Sequence, residues 1–338
     1  MLHDGRLGGE LAKSILTQTR KNLKNITGLK VIGTLNSIDL ELINTNMSSL
    51  LHLDITETDV TEIPAEAFKD VATLMSIKLP NTLQTIGDYA FSGCKVLSGE
   101  LILPEKFTKI SNYAFQNCSG LSGTLKIPAN VTYINSYAFS GCYNIKDIDM
   151  TGATKLYEIG TNAFNGCKAI ESVDIAGASR LINLGTYIFS GCTGLKSVDM
   201  TGAKSLTSLS SYVFNGCNSL ETVLFPETLE TIESYSFYNC AKLDNLKLPS
   251  ALKSINLSAF YGCTGMTTID FSACTSLSTI YSSAFYGCSG LTMLDLSACE
   301  SLITIKDSAF SGCSSLATIN FPISLVAMHL RIVPTFCN

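Results

Sequence analysis

Thirteen cysteines, three histidines and evenly spaced aspartates and tyrosines are the residues of this 338-residue chain with chemistry to offer. Ten cysteines form one series: Cys94, Cys118, Cys142, Cys167, Cys192, Cys217, Cys240, Cys263, Cys288 and Cys313, each three residues after a phenylalanine. Zinc would want closely spaced Cys and His ligands. The chain has no Cys-x-x-Cys pair, and its only histidines are His3, His52 and His329. For disulfides, cysteines one repeat apart would lie ~4.8 Å from each other with parallel Cβ vectors, longer than a disulfide's usual Cβ separation. The series therefore reads as a ladder of buried free thiols acting as small hydrophobes. Cys274 and Cys299 align with Ala153, Ala178 and Ala203 and read as core fillers, and Cys337 lies outside the pattern.

A second series is acidic: Asp149, Asp174, Asp199, Asp270 and Asp295. Stacked like charges repel, so a hard cation such as calcium is one reading. A partner surface is another. The third rests on context: all five precede a longer exit such as Asp149-Met-Thr-Gly-Ala, while shorter exits ending in proline carry Lys78, Ile102, Lys126, Leu224, Lys247 and Asn320 at that place. Asp that tracks loop type accepts hydrogen bonds from the loop backbone. Tyrosines make a third series, at Tyr89, Tyr113, Tyr137, Tyr187, Tyr212 and Tyr235 and then Tyr238, Tyr261 and Tyr286. They read either as a contact surface or as a cover over the phenylalanines. No Ser-His-Asp order, phosphate loop or dinucleotide motif is present, so neither catalysis nor a cofactor is expected. The sequons at Asn25, Asn46, Asn117, Asn130 and Asn256 matter only in a eukaryotic secretory pathway.

What positions these residues is a repeat. Phe68, Phe91, Phe115, Phe139, Phe164, Phe189, Phe214, Phe237, Phe260, Phe285 and Phe310 are separated by 23 to 25 residues. In the unit Leu220-Glu-Thr-Val-Leu-Phe-Pro, Val223 and Phe225 point in and Leu224 points out, the alternation of a strand. Pro80, Pro104, Pro128, Pro226, Pro249 and Pro322 share the next column and mark strand exits, because proline cannot donate to a ladder. The Leu-x-x-Ile step and the Ala-Phe pair then return the chain through short helical or turn segments. The residue before each Cys is Gly or Asn, with Asp70 in the first repeat. These are the types that tolerate left-handed backbone, which predicts a left-handed cap on a helical turn in every repeat. A unit this short cannot bury its own apolar face, so the units must stack into a solenoid.

Composition agrees. Hydrophobic residues make up 46% of the chain, enough for a core, and only 15% are charged, with a net charge of −5. An acidic chain without a basic cluster argues against nucleic acid as partner. No apolar run reaches the 18 residues of a transmembrane helix, and the first residues lack an apolar signal segment.

The segments AFSGCKVL and FYNCAKLDNLKLP resemble the BspA-like leucine-rich repeat, and the resemblance extends over residues 68–321. The stretch from Gly8 to Thr56 resembles the N-terminal cap of Bacteroidetes members of that family. Its residues predict a helix near Glu10–Thr19, a strand near Leu29–Gly33, a helix near Ser37–Asn44 and a strand at Leu51–Ile55. The resemblance implies an α/β solenoid, right-handed, with a parallel sheet on its concave side, and a cell-surface or secreted protein that binds other proteins. The division is then a cap over 1–56, a solenoid of eleven repeat strands over 57–322, and an incomplete repeat or lid over 323–338. The lid would pack Leu325, Met328, Leu330 and Ile332 on the Phe310 repeat and leave a monomer. The partner-facing candidates are Lys78, Lys126, Asp147, Asp149, Asp174, Asp199, Lys247, Asp270 and Asp295. A carbohydrate module using the tyrosine rows and a passive stalk are the competing readings.

Overall fold

The computed structural model describes residues 22–327, so the expected helix near Glu10–Thr19, Cys337 and the lid residues Met328, Leu330 and Ile332 lie outside the described residues. The chain winds as a solenoid in which all but one of the described turns place a short strand in a main parallel sheet. Gly28–Gly33, His52–Thr58 and Ser76–Lys78 form its first section. Ser122–Lys126, Asn144–Asp149, Ser172–Asp174, Ser197–Asp199 and Thr222–Leu224 form the second. Leu246–Lys247 pairs with Ile269–Asp270, and Met293–Asp295 with Thr318–Asn320. Pairing is in register from turn to turn, with Val173 opposite both Ile148 and Val198, so each column of the sequence becomes a row across the sheet. Ten of the eleven expected repeat strands form; Leu101–Leu103 does not.

The proline column ends the strands as anticipated. Strands finishing at Lys78, Lys126, Leu224, Lys247 and Asn320 stop two residues before a proline. Each proline carbonyl then accepts a turn bond, as in Leu229 N–H to Pro226 O at 3.1 Å. The expected return by short helices or turns takes the turn form around the Ala-Phe pair only. The Leu-x-x-Ile step is itself strand: Glu62–Ile63, Thr85–Ile86 and their successors to Thr304–Ile305 build a second parallel ladder in two sections. A two-residue strand contributes little by itself, but the repeat supplies a partner on each side. Among the described residues the only α-helices are Ser37–Asn46 and Ile323–Ala327. The first starts at Asn36, whose side chain accepts from Asp39 N–H while the Asp39 carboxylate accepts from Asn36 N–H. The strand His52–Thr58 pairs with Gly28–Gly33 before it and Ser76–Lys78 after it, so the sheet runs on without interruption there.

The segment around each phenylalanine carries two left-handed positions. All eleven residues preceding the Cys column (or its Val71 equivalent) have positive φ, including Asp70, Asn117 and Asn239 at 57° to 59°. The left-handed geometry is as expected, but no helix is there to be capped. A second set, unexpected, lies two residues before each Phe: Glu66, Tyr89, Tyr113, Tyr137, Asn162, Tyr187, Tyr212, Tyr235, Ser258, Ser283 and Ser308, with φ between 52° and 61°. Between the two, amides alternate in direction. Tyr89, Phe91 and Gly93 donate to the next turn at Asn112, Ala114 and Gln116, whereas Ala90, Ser92 and Cys94 donate three residues back within their own turn. The left-handed residues aim the amides that tie successive turns together, which offsets their backbone strain.

The cap column also obeys a neighbour rule. A Cβ added at Gly93, Gly141 or Gly262 would collide with the side-chain oxygen of Asp70, Asn117 or Asn239 in the turn before it. A side chain at one turn thus occupies the space that only glycine leaves open at the next. Gly191 precedes Gly216, whereas Gly216 precedes Asn239. Gly191→Asn should therefore stay within about 1 kcal/mol of the parent protein, since Asn tolerates this backbone. Gly216→Asn should cost about 1–3 kcal/mol through overpacking against Asn239. Urea denaturation of the two variants checks the rule; equal midpoints would remove it.

Candidate functional site

The core fixes which residues remain available for contact. Successive rings from Phe68 to Phe310 stack with centroids 5.0 to 5.7 Å apart. Beside them runs the Cys column, and each of its ten thiols donates to the carbonyl of the phenylalanine one turn earlier, from Cys94 to Phe68 O at 2.9 Å to Cys313 to Phe285 O at 3.2 Å. Phe91 O, for example, accepts both from Cys94 N–H in its own turn and from the Cys118 thiol in the next. The cysteines from Cys94 to Cys313 are free and buried, and Cys274 and Cys299 pack as expected among the buried alanines of their column. Burial raises the pKa of most of these thiols, to about 12 at Cys94, Cys167, Cys274 and Cys299, and at Cys288 and Cys313 a hydrogen bond with the preceding thiol leads the rise. This column is structural, and it leaves the outer faces to meet a partner.

On the outer face of the main sheet, Lys126, Asp149, Asp174, Asp199 and Leu224 line up in register on neighbouring strands. Beside them run Thr124, Asp147, Ser172, Ser197 and Thr222, with Ser172 Oγ donating to Asp147 Oδ1 at 2.7 Å. Each aspartate of the acidic row holds its own strand exit. The amide two residues on donates to Oδ1 at 2.9 Å for Asp149, Asp174 and Asp199, 2.8 Å for Asp270 and 3.0 Å for Asp295. Thr151 and Thr201 add a hydroxyl to Asp149 and Asp199. These bonds favour the charged form: the Thr151 hydroxyl holds Asp149 below the usual carboxylate range, and Ser272 and Ser297 do the same for Asp270 and Asp295. The loop reading of the acidic column is therefore the one the geometry carries. Among the described residues no three Cys, His, Asp or Glu converge to hold a metal ion.

The candidates from the sequence fall into separate groups. Lys126, Asp147, Asp149, Asp174 and Asp199 form one block. Lys247 and Asp270 make a second, smaller group. Lys78 stands apart with Asp54 Oδ2 3.6 Å away, and Asp295 lies opposite Asn320. Sequence reasoning passed over Asp54, which serves the same loop function in the cap by accepting from Thr56. It also passed over the row Lys146, Glu171, Lys196 and Glu221, whose signs alternate at 25-residue spacing and which closes at Lys196 Nζ to Glu171 Oε2, 2.7 Å. That spacing alone would have found it.

The tyrosines are half-buried and stack on one another. Tyr89, Tyr113 and Tyr137 make one run with centroids 4.5 and 4.8 Å apart. Tyr187, Tyr212 and Tyr235 make another, which steps across to Tyr238 at 5.8 Å and continues through Tyr261 to Tyr286. Because the rings cover each other's faces, the row offers edges and hydroxyls rather than open platforms for sugar stacking.

The profile described as the BspA type leucine rich repeat region, in six copies, matches segments that together span residues 12–331. The chain belongs to the BspA-type leucine-rich-repeat family. Among solved structures it is similar to a leucine-rich repeat protein from Bacteroides ovatus, with a TM-score of 0.67 and 25% identity over 91% of this chain and 82% of that one. A leucine rich cell surface protein from Faecalibacterium prausnitzii matches at 22% identity and a TM-score of 0.41, over 78% of this chain and 83% of that one. An internalin from Listeria monocytogenes matches at 14% identity and a TM-score of 0.32, over 92% and 94%. No curated protein sequence matches. No helix among the described residues is long and apolar enough to cross a membrane.

The thiol column gives a pH test. A thiol whose folded pKa is raised keeps its proton in the native state after the unfolded chain has ionised. The stability it contributes is complete below its ordinary value of 9.0 and is lost as pH rises from there towards 12. Thermal midpoints by circular dichroism should fall steeply between pH 9 and 11, and the thiols should resist Ellman's reagent at pH 8 until the chain is denatured. A flat alkaline profile with prompt labelling of the native protein would contradict burial of the column.

Proposed function

We propose that this protein is a non-catalytic interaction module of the cell surface or of the secreted space, and that it binds a protein partner on the outer face of the main sheet. The observation that carries the reading is the contrast between faces. Inside, the Phe and Cys columns repeat nearly without change, whereas the row Lys126, Asp149, Asp174, Asp199, Leu224 changes type along one in-register frame. Extended solenoid surfaces of this kind suit macromolecular partners, and leucine-rich-repeat membership supports a protein as that partner. Adhesion is the corresponding biological role, and a monomer suffices for it.

Ser197 and Thr222 are exposed on this face and hold no loop, so Ser197→Lys with Thr222→Lys alters the surface without touching the core. Immobilised protein should capture proteins from host or bacterial surface extracts, and this pair should lose that capture at an unchanged melting temperature. A Tyr113→Ser, Tyr212→Ser pair should retain it, and a glycan array should stay blank. Capture that survives the sheet variants and fails with the tyrosine variants would overturn the reading in favour of the carbohydrate or tyrosine-face alternative.

A further inference from the structure

The main sheet is interrupted three times, and each of the two interruptions that flank its acidic block opens a cleft beside an exposed aliphatic side chain. Ser98 N–H reaches Met75 O at 3.0 Å, but beyond it no strand forms, and the sheet section ends at Ser76–Lys78. The resulting cleft, about 360 Å³, is lined by Ile77, Leu79, Leu101 and Ile102, with Lys78 and Glu100 at its rim. Gly99, with φ of 84°, belongs to a one-residue expansion of this turn that the next turn shares at Gly123, where the strand Ser122–Lys126 nonetheless forms with a register shift. The second section likewise ends at Thr222–Leu224, because Leu246–Lys247 pairs only onward. A cleft of about 560 Å³ opens there between Leu224, Phe225, Leu246 and Leu248. Ile102 is 76% exposed and Leu224 47%, both in the column that otherwise carries Asp, Lys or, at its last strand, Asn320. Between them lie Lys126, Asp149, Asp174 and Asp199. Lys126 compensates Asp149, but no ion pair reaches Asp174 or Asp199 among the described residues.

We propose that these two clefts and the acidic row between them form one docking surface for an extended peptide segment with a basic centre and an apolar anchor at each end. The proposal rests on the protein-binding reading above and names the chemistry of the partner. Two features, independent of each other, point to the same occupant. The uncompensated carboxylates keep a free oxygen each, since the loop amides occupy only Oδ1, and they call for Lys or Arg. The clefts call for aliphatic or aromatic side chains, because an aliphatic group left exposed at the mouth of an apolar cleft gains by burial. Geometry sets the spacing. Ile102 and Leu224 stand five turns apart, which at ~4.8 Å per parallel strand is about 24 Å, or about seven residues of extended chain at ~3.3 Å each. The segment would cross the strands rather than add to them, as the strand edges within the block are already paired.

Fluorescence anisotropy with labelled synthetic peptides tests this. The probe carries leucines seven residues apart with three lysines between them; one control has the same residues with the leucines adjacent, and another replaces lysine with glutamate. The matched peptide should bind at least tenfold more tightly than either control and weaken as salt rises. Ile102→Ser and Leu224→Ser, both at exposed positions, should each reduce its affinity about tenfold without lowering the melting temperature. Equal binding of matched and adjacent-leucine peptides, or full affinity in both serine variants, would overturn the proposal. If the peptides fail while Ser197→Lys with Thr222→Lys still abolishes capture of surface proteins, this inference falls and the protein-binding reading stands. If capture is also insensitive to those substitutions, the reading beneath it falls as well.

Discussion

Everything in this molecule depends on contact between one turn and the next. A single 25-residue turn has no interior; it acquires one when its phenylalanine stacks on the ring of the preceding turn and its cysteine donates to that turn's phenylalanine carbonyl. The carbonyl would otherwise be a buried acceptor with one bond from its own turn. Serine could donate as well, but its hydroxyl carries a larger desolvation cost in an apolar column than a thiol, which packs as a small hydrophobe and donates weakly. The repeated Phe-x-x-Cys pairing is therefore both packing and polar bookkeeping, and it explains why so many cysteines occur together without joining in disulfides.

That constraint also shapes the surface. Turns that must superpose place equivalent residues in rows about 4.8 Å apart, and rows of like charge are costly unless something offsets them. The structure offsets them in three ways: alternation, as in Lys146, Glu171, Lys196 and Glu221; a lysine at the end of a run, as at Lys126; and amides from the strand exits, which every aspartate of the acidic row accepts. Asp174 and Asp199 receive only the last of these. The sheet face thus keeps a local electrostatic demand that folding alone does not meet, and this distinguishes it from the tyrosine rows, whose rings already satisfy one another.

Much of this was legible in the residues. The Phe and Cys columns, the proline exits, the left-handed cap position and the loop-holding aspartates follow from side-chain type plus strict periodicity, because each of those residue types has few structural alternatives at its position. The cap elements at Gly28–Gly33, Ser37–Asn46 and His52–Thr58 were legible to within a few residues. Other features were not. The second ladder replaces the short helical or turn segments expected at the Leu-x-x-Ile step, and two-residue strands such as Thr231–Ile232 have no alternation to detect; their pairing comes wholly from neighbouring turns. The left-handed tyrosines defied residue preference, since inter-turn amide bonds override it at Tyr89 or Tyr212. No single residue announces the interruptions at Leu101–Leu103 and after Leu224: the extra glycine at Gly99 recurs at Gly123, in a turn whose strand forms.

Coupling between adjacent turns carries the stability of this solenoid, and Phe214→Ala tests that most directly through native-state hydrogen exchange combined with denaturant unfolding. Loss of the ring and the cavity it leaves should cost about 3–5 kcal/mol. Protection should fall most in the turns of Phe189, Phe214 and Phe237 and recover with distance along the solenoid in both directions. An unchanged unfolding midpoint, or lost protection confined to the Phe214 turn with its two neighbours intact, would contradict the claim.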